Sequence, residues 1–65
     1  MASLDQAQLS SLGDAVAALA QRCAALAESL DTASTSDAAN ALFEAERSLH
    51  MAERAIGQAR RRIAD

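Results

Sequence analysis

The chain has 65 residues, a formal net charge of −3 and one cysteine, and apolar side chains fill 51% of its positions. A chain this short buries little of its surface and usually needs a disulfide, a metal or a partner chain to be stable. Cys23 and His50 are the only residues of their types, so an internal disulfide and a closed zinc site within one chain are excluded. Association with another chain is the remaining means of stabilisation.

The composition predicts helices in a protein outside the membrane. Eighteen residues are alanine, which loses no side-chain entropy in a helix, and proline is absent. Arginine without lysine, together with this much alanine, is typical of GC-rich bacterial genomes. The negative charge argues against a protein that coats nucleic acid, and no uncharged apolar stretch is long enough to span a bilayer. The first residues lack the basic region of a signal peptide, so the expected location is the cytoplasm, where a lone cysteine stays reduced.

A first helix is predicted over residues 4–31. Ser3 suits the N-cap, Gln6 completes a capping box, and the charge of Asp5 in the first turn complements the helix dipole. The apolar residues recur at alternating intervals of three and four, which is the a/d pattern of a coiled coil. This first seam consists of Leu9, Leu12, Val16, Leu19, Cys23, Leu26, Leu30 and Ala33.

A second helix is predicted over residues 37–64. Large side chains alternate with alanine along its apolar stripe, a pattern that lets facing layers interdigitate. Three consecutive arginines, residues 60–62, occupy its last turn, where cations complement the helix dipole. The second seam consists of Ala38, Leu42, Ala45, Leu49, Ala52, Ile56, Ala59 and Ile63.

A loop is predicted at residues 32–36, the only cluster of small polar residues in the chain. Ser34 or Ser36 is the expected N-cap of the second helix. A loop this short forces the two helices to lie antiparallel and side by side. The sequence therefore predicts a single all-α domain over residues 1–65, an antiparallel two-helix hairpin of the coiled-coil type.

Two glycines fall inside the predicted helices. Each costs about 1 kcal/mol relative to alanine in a helix interior. Gly13 lies at an e position, where it would allow the helices to approach closely, whereas Gly57 has no packing reason that the sequence reveals.

The apolar stripe of the first helix is wider than one partner helix covers. Ala15 at g, with Ala20 and Ala27 at e, widens it beyond the a/d seam. A lone hairpin would leave a larger apolar patch in water than monomers usually tolerate. We therefore expect a homodimer that forms a four-helix bundle, with a different helical chain as the alternative partner and the relative orientation of the hairpins open. The expected oligomer interface consists of Leu9, Leu12, Val16, Leu19, Cys23, Leu26, Leu30, Leu42, Leu49, Ala52, Ile56 and Ile63.

Three residues of the second helix, Phe43, His50 and Met51, lie off the predicted seam and are candidates for partner binding. An exposed aromatic residue is a typical interface anchor. The alternative is that Phe43 covers the end of the bundle or the dimer seam near the loop. Glu46 and Glu53 flank His50 at one turn on either side, which predicts a solvated, salt-bridged histidine. A di-metal carboxylate site is disfavoured, because such bundles use Glu-x-x-His pointing inward, and here the order is reversed.

A line of arginines at f positions of the second helix is a candidate anion site for the phosphates of RNA, DNA or a nucleotide. The alternative is a solvated face whose charge is balanced by Glu44, Glu46 and Glu53. No aromatic residue is interleaved to stack a base, which weakens the nucleic-acid interpretation. The anion-binding candidates are Arg47, Arg54, Arg60, Arg61 and Arg62.

No pattern in the sequence is typical of an enzyme. There is no Ser-His-Asp set, glycine-rich phosphate loop, CxxC pair or inward-facing carboxylate pair, so we expect no catalysis, cofactor or metal. Cys23 is interpreted as a small hydrophobe in the seam, with an intermolecular disulfide or a reactive thiol as alternatives. The predicted function is a non-enzymatic helical oligomerisation and protein–protein interaction module, a small regulatory or adaptor protein. The alternative is a nucleic-acid or nucleotide-binding regulator that uses the arginines of the second helix.

Overall fold

A computed structural model describes residues 3–63 as two α-helices, α1 (Ser3–Ser29) and α2 (Ser36–Ile63). They pack side by side over their length, and the Cα positions fill a volume of 53 × 14 × 9 Å. Gly13, in the first half of α1, lies against Ile56, in the last third of α2, so the helices run antiparallel. The predicted all-α hairpin is confirmed, and no strand is found in the part of the chain that the structure describes.

The connection between the helices is longer than predicted and lies earlier in the chain. α1 ends at Ser29, two residues before the predicted end at 31, and α2 begins at Ser36. Leu30 therefore lies in a turn, and Ala33 is exposed in the connection. The assignment of Ala33 to the first seam is wrong, because the helix has already ended there. Residue 64 and the side chain of Ser3 lie outside what the structure describes.

Thr35, rather than Ser34 or Ser36, is the N-cap of α2. Its carbonyl accepts the first hydrogen bond of that helix, from the Ala39 N–H at 3.0 Å. Its hydroxyl donates to the carbonyl of Leu30 and lies 2.7 Å from the hydroxyl of Thr32. Helix ends leave carbonyls without partners, and Thr35 satisfies one at the end of α1 while it starts α2. One threonine thus joins the two helix ends.

Alanine forms the buried interior of the hairpin. Ala20, Ala27 and Ala39 have exposed fractions of 1%, 0% and 0%, and no large side chain of residues 3–63 is fully buried. Ala20 and Ala27 occupy e positions, which the sequence places beside the a/d seam rather than in it. The small side chains let the two backbones approach closely, so the line of contact runs between a and e. The predicted seam is therefore displaced by one heptad position on α1.

The d-position leucines of α1 point away from α2 as a result. Leu12, Leu19 and Leu26 are 50%, 45% and 51% exposed. The residues at a on both helices, such as Val16 and Leu49, are half-buried between the helices. The predicted oligomer interface therefore divides into a part that closes the hairpin and a part that faces solvent.

We predict that Gly13→Ala stabilises the fold. A methyl group there would lie 3.7 Å from Ile56 Cγ2, an ordinary van der Waals distance, and the helix gains by about 0.5–1 kcal/mol from losing a glycine. Gly57→Ala is the matched control, because its methyl group would meet only the flexible guanidinium of Arg61, at 3.6 Å. Urea unfolding followed by circular dichroism at one protein concentration measures both. A loss of stability at Gly13 alone would contradict the helix spacing.

Candidate functional site

One long side of the hairpin is apolar, and we call it the apolar face. A groove there is lined by Leu19, Cys23 and Leu26 from α1 and by Leu42 from α2. Antiparallel packing brings the d and g positions of both helices to this side. Between Leu12 and Ser29 these positions of α1 carry one charged residue, Arg22. The apolar face consists of Leu12, Ala15, Leu19 and Leu26 with Ala38, Ala41, Ala45, Ser48, Ala52, Ala55 and Ala59.

The two helices contribute different shapes to the apolar face. α1 contributes a ridge, defined as Leu12, Leu19 and Leu26, whose members are seven residues apart and about half exposed. α2 contributes a line of small side chains, defined as Ala38, Ala45, Ala52 and Ala59, also seven apart. We call these the leucine ridge and the alanine line. A protruding ridge beside a shallow line on one surface is a shape that a copy of itself can fit.

The opposite side of α2 carries a histidine held between two carboxylates. His50 Nδ1 lies 2.9 Å from Glu53 Oε1, and His50 Nε2 lies 3.3 Å from Glu46 Oε2. Both ring nitrogens can donate at once only in the imidazolium, so these hydrogen bonds, that to Glu53 foremost, raise the pKa of His50 above its ordinary value. The arrangement is the salt-bridged histidine that the sequence predicts.

The partner-binding candidates of the sequence are not all neighbours. Phe43 and His50 line one open groove on α2, together with Glu46 and Arg47. Phe43 is half-buried, because the b position of α2 lies at the edge of the helix contact. Met51 is 63% exposed and lines a different groove.

The arginines do not form one continuous surface. Arg47 Nη2 lies 3.6 Å from Glu44 Oε1, an exposed ion pair of the kind that contributes little stability. Arg54 lies beside Met51, and Arg60 and Arg61 line a third groove. Of the three glutamates expected to balance the charge of the arginines, Glu44 forms an ion pair with an arginine, whereas Glu46 and Glu53 bind His50.

Other chemistry finds little support in the described residues. Over residues 3–63, no three side chains of His, Cys, Asp or Glu are grouped so that they could hold a metal ion. Cys23 is a free, half-buried thiol in the groove of the apolar face. Neither helix, over the same residues, has the length of apolar sequence that crossing a membrane requires.

Comparison of the chain with protein-family models, with curated proteins and with solved structures finds no significant match. Among the described residues, the leucine ridge is the largest set of exposed large apolar side chains that share one side of a helix. The sequence analysis placed its residues in the expected oligomer interface but did not separate them from the residues at a that close the hairpin. The signal that could have separated them is the alanine repeat at Ala20 and Ala27, which marks the side where the helices meet.

We predict that His50 makes the stability of the protein depend on pH. Because folding raises the pKa of His50, its contribution is fully present below its ordinary pKa of about 6.5 and is lost as the pH rises through the folded pKa. The free energy of unfolding of the wild type, minus that of His50→Gln, should fall as the pH rises above about 6.5. Urea unfolding across this range measures it. Glu44→Gln is the control, since Glu44 pairs with Arg47 and should not alter the pH dependence; a difference independent of pH would refute the assignment.

Proposed function

We propose that the chain is a non-enzymatic helical oligomerisation and protein–protein interaction module, a small regulatory or adaptor protein that works as a homodimer. The observation that supports this proposal is the leucine ridge, about half exposed on a hairpin whose fully buried residues are alanines. Leucines that repeat along one side of a helix and are exposed to solvent are typical of a surface that another protein covers.

The size of the hairpin supports the same proposal. A standard interface covers about 800 Å² on each partner. The surface of the described chain is 4805 Å², so such an interface would use roughly a sixth of it, an area that the long apolar face can supply. Two hairpins joined in this way make a four-helix bundle, in which the leucine ridges supply the large core side chains that each hairpin lacks.

An adaptor role needs a second surface that dimerisation leaves open. The groove lined by Phe43 and His50 lies on the side of α2 away from the apolar face. Its one aromatic ring and its acidic and basic rim resemble the composition of protein-binding surfaces. In the proposed dimer this groove occurs twice, once on each hairpin.

We predict that the purified protein has twice the 6.8 kDa mass of one chain at micromolar concentration. Light scattering on a size-exclusion column measures this mass, and circular dichroism shows whether the chain is helical. Phe43→Ala should keep the dimeric mass, because Phe43 lies outside the apolar face. A helical monomer at these concentrations would contradict the proposal.

A second function, the binding of nucleic acid or nucleotide by the arginines of α2, has one observation in its favour. Arg47 pairs with Glu44, whereas Arg54 has no carboxylate within 4.0 Å in residues 3–63. An arginine without an internal partner is free to bind a phosphate.

We predict that, if this second function operates, Arg54→Gln weakens binding more than Arg47→Gln does. Arg47 must first leave Glu44, so its removal costs the complex less. A gel-shift titration with single-stranded and duplex oligonucleotides at low salt measures the difference. Equal binding by both variants, or no binding by the wild type, excludes this function.

A further inference from the structure

The leucine ridge and the alanine line run along the same stretch of the rod. Gly13 lies against Ile56, and Leu26 shares a groove with Leu42, so residues of α1 and α2 at the same level have numbers that add to about 68. By this relation Leu12 is level with Ile56, Leu19 with Leu49 and Leu26 with Leu42. The leucine ridge, from Leu12 to Leu26, spans roughly 21 Å along the rod, at ~1.5 Å per residue.

Each leucine of the ridge is therefore level with a gap in the alanine line. A copy turned by half a turn about the long axis of the rod places its α2 opposite α1 without any shift along the axis. Each leucine then meets a space between two successive alanines of the copy, which is the knobs-into-holes arrangement. Leu26 meets the gap between Ala38 and Ala45, and the other two leucines meet the next two gaps.

The other closed pairing has no such fit. A half turn about an axis across the rod places α1 on α1 and α2 on α2, with the hairpins antiparallel. The leucine ridges then oppose each other on one side while the alanine lines oppose each other on the other. Leucine then packs on leucine and alanine on alanine, so the two contacts have different widths and no leucine is seated in a gap of an alanine line.

We propose that two copies of the chain pair through their apolar faces as parallel hairpins, with each leucine ridge seated on the alanine line of the other copy and both loops at the same end. This inference rests on the proposed dimer and specifies its interface and its symmetry. The twofold axis runs along the bundle, so that every helix has antiparallel neighbours. The alanine line, which the sequence places in the second seam, becomes the receptor for the leucines of the second copy.

Spin labels in the loop test the orientation directly. Cys23→Ala removes the native thiol, and Ser34→Cys, in the exposed connection, accepts one label on each copy. Pulsed electron paramagnetic resonance should give a short label-to-label distance, about 10–25 Å, if both loops lie at the same end, since two helices lie 8–10 Å apart. Antiparallel hairpins would separate the labels by about the 53 Å length of the rod. The long distance would overturn this inference and leave the proposed dimer intact.

Substitution of the ridge tests the surface. Leu19→Glu buries a charge with no partner and should raise the dimer dissociation constant by roughly a hundredfold or more. Ala7→Glu is the matched control, because Ala7 is exposed at an f position outside the apolar face, and it should leave the constant unchanged. Light scattering over a dilution series measures both, with circular dichroism to confirm that the variants are helical. A Leu19→Glu variant that dimerises as the wild type does would overturn the assigned surface, and a monomeric wild type would overturn the proposed dimer itself.

Discussion

The close approach of two backbones across alanine is the constraint on which the rest of the molecule depends. Ala20, Ala27 and Ala39 have no atoms beyond Cβ, and they are the residues that the hairpin buries fully. Helices that meet across such side chains lie near the lower end of the usual range of 8–10 Å between axes. The larger residues at a, such as Val16 and Leu49, are therefore only half-buried between the helices, and the leucines at d on α1 lie to one side of the contact.

The displaced side chains give the hairpin two unlike long sides. On α1 Leu19 and Leu26 directly precede Ala20 and Ala27, and one residue is a rotation of about 100°, so these leucines turn to one side of the contact. On α2 the carboxylates of Glu46 and Glu53 flank the contact on the other side, where His50 joins them. The result is a rod with an apolar side and a charged side.

The sequence predicts the elements of this fold well and their contact less well. The 3-4 spacing from Leu9 to Leu26 requires a helix, and the short polar loop requires an antiparallel neighbour. The choice between a/d and a/e contact depends on how closely the backbones approach, and a pattern based on hydrophobicity ranks leucine above alanine at every position. The N-cap was missed for a similar reason. Three hydroxyl residues compete at 34–36, and the choice of Thr35 depends on a carbonyl at Leu30 that only the folded turn brings near.

Contacts within one helix turn were the most predictable part of the candidate site. His50 lies three and four residues from its carboxylates, so their meeting follows from helix geometry alone. The half-burial of Phe43 could not be obtained in this way, because it depends on which side of α2 faces α1. The rule that separates these cases is whether a residue's neighbours belong to its own helix.

The loop has a larger effect on the proposed dimer than its size suggests. In the proposed dimer the two copies are related by a twofold rotation about the long axis of the bundle, which includes no shift along that axis. The position of each leucine along the alanine line of the other copy is therefore already decided within one hairpin. That level depends on where α1 ends and α2 begins, and Thr35 determines it by holding the Leu30 carbonyl while it caps α2. One residue more or less in the connection would rotate the inward positions of α2 by about 100° or shift its level, given 3.6 residues per turn. The hydrogen bonds of Thr35 thereby connect the joint between the two helices of one hairpin with the register that we propose for the dimer.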